Sequence, residues 1–335
     1  MECMGKKDIQ FNLRIPEELK NKVDAAAKAN QRSINAEATS RLYDSFVMND
    51  NIQVEAAKII ENFLRSRSPT ERKKVVAERL NFVLSELKKI PHFREFTIAE
   101  LAFEIGEDTA DEAEAWFRAE LEPTFSQLEK IAQHTSANPN WLFFGKQTPY
   151  DIQYKRLNEY LDQDIKLLVG SNTNNGYLNH SKVKEIKFIR ELSETGQLII
   201  LKIYENYAVE TICPPYHISD ENGDGGHRSL LYFCLLTKVL IRYYQTKVSI
   251  FSHLLPEEQF KLILTGTVHP LTIVGKLHFI PWVDDLAEKL PNKILDYWNG
   301  FDVLRARIIR DFEEKEYIQE ILKDPKLHLK HPIEL

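Results

Sequence analysis

The sequence predicts a mainly α-helical protein with minor β structure, laid out as successive modules along the chain. Three observations predict it. Residues alternate strictly between apolar and polar over Ile9-Gln10-Phe11-Asn12-Leu13-Arg14, which is the period of a half-buried strand. Apolar residues then recur at helical spacing from Leu19 onward and again from Val75 onward, the pattern of amphipathic helices. Two β-rich runs, Leu198 to Tyr204 and Tyr207 to Cys213, flank Glu205-Asn206 as a hairpin would, and they stand among helical patterns in the last half of the chain. A length of 335 residues with 43% hydrophobic content suits two or three folded domains, each with its own core.

In the first strand, Ile9, Phe11 and Leu13 share one face and Gln10, Asn12 and Arg14 the other. The apolar face requires a core. The polar face carries the side chains that read base edges through paired hydrogen bonds, and a two-stranded ribbon fits the major groove. A lone strand leaves backbone groups unpaired on both edges, so the expected mate is the same strand of a second copy. Pro16-Glu17-Glu18 opens a helix with proline and acids in its first turn, and Leu19, Val23, Ala26 and Ala27 carry it to about Lys28. Asn30-Gln31 breaks it. Ser33 reads as the N-cap of a second helix with Ile34, Ala38, Leu42 and Phe46 on one face.

Gln10 to Phe46 resembles the ribbon-helix-helix DNA-binding domain of the Arc repressor family, aligned without a gap. The resemblance implies that Gln10, Asn12 and Arg14 read bases. It places Ser33 and Asn35 at the start of the second helix, where the family holds a DNA phosphate, and matches Arg32, Glu37 and Arg41 to the family's buried Arg-Glu-Arg ion network. The pattern departs at Gln31, where glycine is usual, and the neighbouring Asn30 is the residue expected to tolerate a left-handed turn. Lys6 and Lys7 precede the strand and are placed to rest on phosphates.

The net charge is −6, so affinity for a polyanion must be local to a small module. Cys3, Cys213 and Cys234 are widely spaced and form neither a metal pattern nor a disulfide framework. Met1 to Lys7 lacks the apolar run of a signal peptide, and Leu230 to Ile241, the most apolar stretch, is too short to span a bilayer. A cytoplasmic, nucleoid-associated location follows as the expectation.

The boundaries expected are 1–48 for the DNA-binding domain, 49–70 for a helical connector, 71–149 for a middle domain and 150–335 for a C-terminal α+β domain. Within the middle domain, helical patterns cover Glu71 to Ile90, Thr97 to Gly106, Ala113 to Phe117, Pro123 to Ala132 and Asn138 to Gly145. That order resembles the helix-turn-helix domain of phage-repressor-like transcription factors, with Ala102, Gly106 and Trp116 at its helix-packing alanine, turn glycine and recognition-helix tryptophan. From Glu95 to Glu122 ten acids face the single base Arg118, and such a surface is repelled by DNA. The expectation is therefore a fold kept without DNA reading, serving as spacer, dimerisation surface or dock for a basic partner. The rival reading has Arg94, Lys88 and Lys89 meet phosphates while the acids point away.

Beyond Tyr150 the sequence offers no family signature. Helices are expected at Lys155 to Val169, Val183 to Leu192, Pro256 to Leu264, Val283 to Leu290, Lys293 to Trp298 and Phe301 to Leu322. Ser171 to Asn175 reads as a polar loop, Asp220 to Gly226 as a mobile surface loop, and Ser229 to Phe251 as a buried central segment. No nucleophile-base pair, phosphate loop or metal motif is visible, so neither an enzyme nor a cofactor is expected. The sequence points to a transcriptional regulator of bacterial, phage or plasmid type that binds double-stranded operator DNA as a dimer, or as a tetramer on tandem half-sites. The alternative is an antitoxin- or partition-type interaction protein that autoregulates through the same ribbon.

Overall fold

The computed structural model describes residues 13–45, 58, 70–170, 181–289 and 296–324. The chain divides into two compact units, Met1–Ser68 and Pro69–Leu335. The expected strand residues Ile9 to Asn12, the connector helix after Phe46, the loop Ser171 to Asn175 and residues 293–295 lie outside the described residues.

The first unit holds helix α1, Glu17–Ala29, and helix α2, residues 34–45. The second opens with a helical bundle: α3 Glu71–Lys88, a 3-10 turn Pro91–Phe93, α4 Ile98–Glu104, α5 Ala110–Phe117, α6 Phe125–Thr135 and α7 Pro139–Phe144. Local chemistry sets these boundaries. The Thr97 hydroxyl accepts from the Glu100 N–H while Glu100 returns the bond, and Thr124 and Gln127 do the same for α6. Gly106 turns α4 toward α5 at φ +76°, where an L side chain is disfavoured. Val76, Leu80, Leu101, Ala102, Trp116, Leu128 and Leu142 close the bundle core.

A five-stranded mixed sheet follows, in the order β1-β4-β3-β2-β5. Its strands are β1 Ile152–Tyr154, β2 Val183–Glu191, β3 Leu198–Tyr204, β4 Val209–Cys213 and β5 Ser249–Leu255. The β3–β4 pair is antiparallel around Glu205-Asn206, as the two β-rich runs flanking that dipeptide predict. Helices α8 Leu161–Val169, α9 Asp224–Tyr244, α12 Trp282–Leu286, α13 Phe301–Glu314 and α14 Glu316–Lys323 cover one face of the sheet. Helices α10 Glu257–Leu264 and α11 Pro270–Val274 cover the other. Leu87, Ile90 and Phe93 from the bundle meet Ile203 of β3 and Leu271 of α11 in a further apolar cluster, so the bundle is packed on the sheet.

Five expectations are corrected. Val183 to Leu192 is a strand, not a helix: it lies between β3 and β5 with apolar neighbours on both faces, and a doubly covered strand shows no clean alternation. The helix expected from Lys155 begins only at Leu161, because residues 152–154 pair with β4 and Asp164 accepts from the Asn158 and Glu159 N–H groups at 2.8 and 2.9 Å, fixing the preceding loop. Phe301 to Leu322 is two helices broken at Lys315, which is extended. The Asp220 to Gly226 segment is a surface loop only to Gly223, since α9 starts at Asp224, and the Asn222 amide donates to the carbonyls of His217 (2.7 Å) and Ser219 (2.9 Å). Asp296 to Trp298 is also not helical.

One ion pair is sealed inside the sheet. Lys202 Nζ lies 2.9 Å from Glu210 Oε2 on the facing strand, both side chains almost fully buried, and the Tyr204 hydroxyl donates to the same oxygen at 2.8 Å. Among the described residues no helix is long and apolar enough to cross a membrane.

Candidate nucleic-acid interface

Helix α1 begins after Pro16 with Glu17 and Glu18 in its first turn, where acids complement the helix dipole. It ends in a Schellman arrangement: the Arg32 N–H bonds the Ala27 carbonyl at 2.9 Å and the Gln31 N–H bonds the Lys28 carbonyl at 3.3 Å. The left-handed residue is Gln31, at φ +52°, and Asn30 stays at φ −91°. The expectation that Asn30 would take the strained conformation is thus corrected. A non-glycine residue in that region costs about 1 kcal/mol.

Ser33 caps α2. Its hydroxyl accepts from the Ala36 N–H at 3.1 Å and its carbonyl from the Glu37 N–H at 2.9 Å. Ser33 and Asn35 are both exposed at this helix N-terminus, whose backbone N–H groups and dipole favour an anion. Arg14 is exposed on the approach to α1. Gln10, Asn12, Lys6 and Lys7 lie outside the described residues.

Arg32, Glu37 and Arg41 come together. Arg41 Nε donates to Glu37 Oε1 at 2.9 Å, and Arg32 Nη1 lies 4.0 Å from Oε2. Burial reaches only the centre: the Glu37 side chain is 3% exposed, while Arg32 and Arg41 are 52% and 62% exposed in this single chain. The sequence did not signal a fourth member, Asn30, whose amide donates to both Glu37 oxygens at 3.0 and 3.1 Å, or Ser40, which accepts from Arg32 at 3.3 Å. Bonding to Arg41, then to Asn30, holds the Glu37 carboxyl below the usual range. The network locks the start of α2 to the end of α1.

The apolar residues of this unit are largely uncovered. Leu13 is 65% exposed and Leu42 50%, with Ile15, Leu19 and Ile34 also exposed, and Ala27 is the buried apolar side chain among the described residues. The first 48 residues carry eight lysines and arginines against seven acids, so the module has a slight positive balance within a negatively charged chain.

In the second unit, Glu95, Glu100, Glu104, Asp108, Asp111 and Glu112 are exposed around α4 and α5, and Arg118 is engaged by Glu114 and Glu120. Among the described residues no group of three or more His, Cys, Asp or Glu side chains could hold a metal ion.

No curated protein and no solved structure matches the chain. Residues 5–54 match the family model of the Arc-like DNA binding domain, and the protein therefore carries an Arc-like, ribbon-helix-helix DNA-binding module at its N-terminal end.

Proposed function

We propose that this protein is a sequence-specific transcriptional regulator that binds operator DNA as a dimer. The observation that carries the reading is the Arc-like match over residues 5–54. Two Ile9 to Arg14 strands pair as an antiparallel ribbon in the major groove, and Gln10, Asn12 and Arg14 contact base edges. Ser33 and Asn35 hold a phosphate at the N-terminus of α2, and Lys6 and Lys7 rest on flanking phosphates. The uncovered Leu13, Leu19, Ile34 and Leu42 support the dimer, because among the described residues the two helices bury one apolar side chain, Ala27, too little for a core. The Arg32-Glu37-Arg41 network is structural and fixes the angle between the helices.

In the same reading the bundle of residues 71–149 is a helix-turn-helix relative that no longer reads DNA. Burial of Ala102 and Trp116 and the turn at Gly106 support the likeness, and the acids around α5 oppose approach to phosphates. Residues 150–335 serve oligomerisation or effector binding, without enzymatic activity, in the cytoplasm. The exposed acidic surface favours one further reading, an antitoxin- or partition-type factor holding a basic protein, which a stoichiometric basic partner on purification would identify.

The test is a gel-shift competition between an inverted-repeat operator and random DNA. Asn12→Ala and Arg14→Ala should each lower the preference by roughly 10- to 100-fold while leaving random-DNA binding in place. If both variants keep the wild-type preference, the base-reading role is wrong.

A further inference from the structure

Five aromatic rings converge beneath the turn that joins β3 to β4. Tyr207 stacks on His92, with 3.9 Å between centroids and 21° between planes. Phe93 meets both rings edge-on. Phe96 extends the wall, 5.4 Å from Phe93, and stacks on His134 at 5.7 Å and 19°. Together they line a recess of about 470 Å³, within the range of small-molecule sites.

Its remaining lining is acidic. Glu95, Glu100, Glu104 and Glu205 surround the rings. Glu100 is committed to the Thr97 cap, whereas Glu95, Glu104 and Glu205 make no ion pair with any described residue. His134 lines the recess with its ring, while its Nε2 is sealed from solvent. Burial favours the neutral ring despite the Glu104 charge.

Backbone strain marks the same place. The Tyr204 N–H bonds the Ala208 carbonyl and the Tyr207 N–H bonds the Tyr204 carbonyl, both at 2.9 Å, which makes a three-residue hairpin loop ending in a left-handed position. Such a loop calls for glycine there, yet Tyr207 occupies it at φ +63°. What the ring gains is its place in the aromatic wall, and strained residues gather at ligand sites.

We propose that this recess binds an organic cation of the guanidinium class. Ring faces attract cations, and a planar guanidinium both stacks on them and forks to carboxylates. Its N–H donors match the carboxylates of Glu95, Glu104 and Glu205. Three carboxylates that pair with no described residue disfavour an anion. Lys184 already sets its ammonium 4.5 Å from the Tyr207 centroid and bonds the hydroxyl at 3.3 Å, so a cation is already held by one ring of this wall. The cation could come free in solution or on an arginine side chain of a peptide. The proposal does not depend on the DNA reading.

Isothermal titration of the full chain with agmatine and, separately, with the peptide Gly-Arg-Gly tests it. Saturable binding is expected, and the tighter probe identifies the source. Glu104→Gln should weaken it about tenfold. Phe96→Leu, which removes an aromatic face of the lining, should weaken it severalfold, and both variants should keep the wild-type melting temperature. If Phe96→Leu melts early, Glu104→Gln, at an exposed side chain, decides alone. Absence of saturable binding of either probe up to about 10 mM, or unchanged affinity in the correctly folded variants, overturns the proposal.

Discussion

Residues 13–45 and the unit from residue 69 onward handle apolar surface in opposite ways. In the first, Ala27 is the buried apolar side chain among the described residues, while Leu13, Leu19, Ile34 and Leu42 stay in water. In the second, every residue of β3 is buried and helices cover both sheet faces. Ion networks divide the same way. Glu37 is sealed while its arginines remain half-exposed, but Lys202 and Glu210 are both enclosed. The difference teaches that the large unit encloses its own core, whereas the described residues of the small one leave apolar side chains uncovered. In the proposed dimer a second copy covers them.

The largest expected effect breaks the comparison at the small unit. Leu42→Asp puts a charge on the apolar face where a partner would bury it, and an unpaired buried charge is strongly unfavourable. Operator affinity should fall on the order of 100-fold or more, and the melting of the large unit should not move. Unchanged operator affinity would show that this face is not the interface. Next, Lys202→Met leaves Glu210 buried without its cation and should lower the urea stability of the large unit by about 3 kcal/mol. Lys202→Met with Glu210→Gln should recover more than half of that loss, since a neutral amide still accepts from Tyr204, and DNA affinity should stay constant throughout. The smallest effect sharpens the comparison within the small unit. Gln31→Gly relieves the left-handed turn but loosens the unfolded chain, for a net gain of about 0.5 kcal/mol, read as a higher melting temperature of the N-terminal module. A decrease would mean that the Gln31 side chain contributes a contact of its own.

The sequence was legible wherever local chemistry decides structure. Proline and acids opened α1, the Ser33 side chain capped α2, and polar residues at Glu205-Asn206 turned the hairpin. It was misleading where tertiary neighbours decide. Val183 to Leu192 is covered on both faces, so its apolar run matches a helix as readily as a strand. The break at Lys315 has neither proline nor glycine to announce it. In the candidate interface, the departure at Gln31 from the usual glycine was visible, but which of two adjacent residues would turn left-handed depends on the Arg32-to-Ala27 bond that closes the helix. Asn30 carried no signal as a partner of Glu37, because the six intervening residues fold back only once the turn exists.

Ala27, the one apolar side chain buried among the described residues of the small unit, has a consequence for dosage. If the reading domain assembles only when two chains meet, the fraction of assembled readers rises with roughly the square of protein abundance while chains are scarce. Control would then be sharp in expression level without any small-molecule signal, and a gene governed by its own product would settle at a self-limited set point.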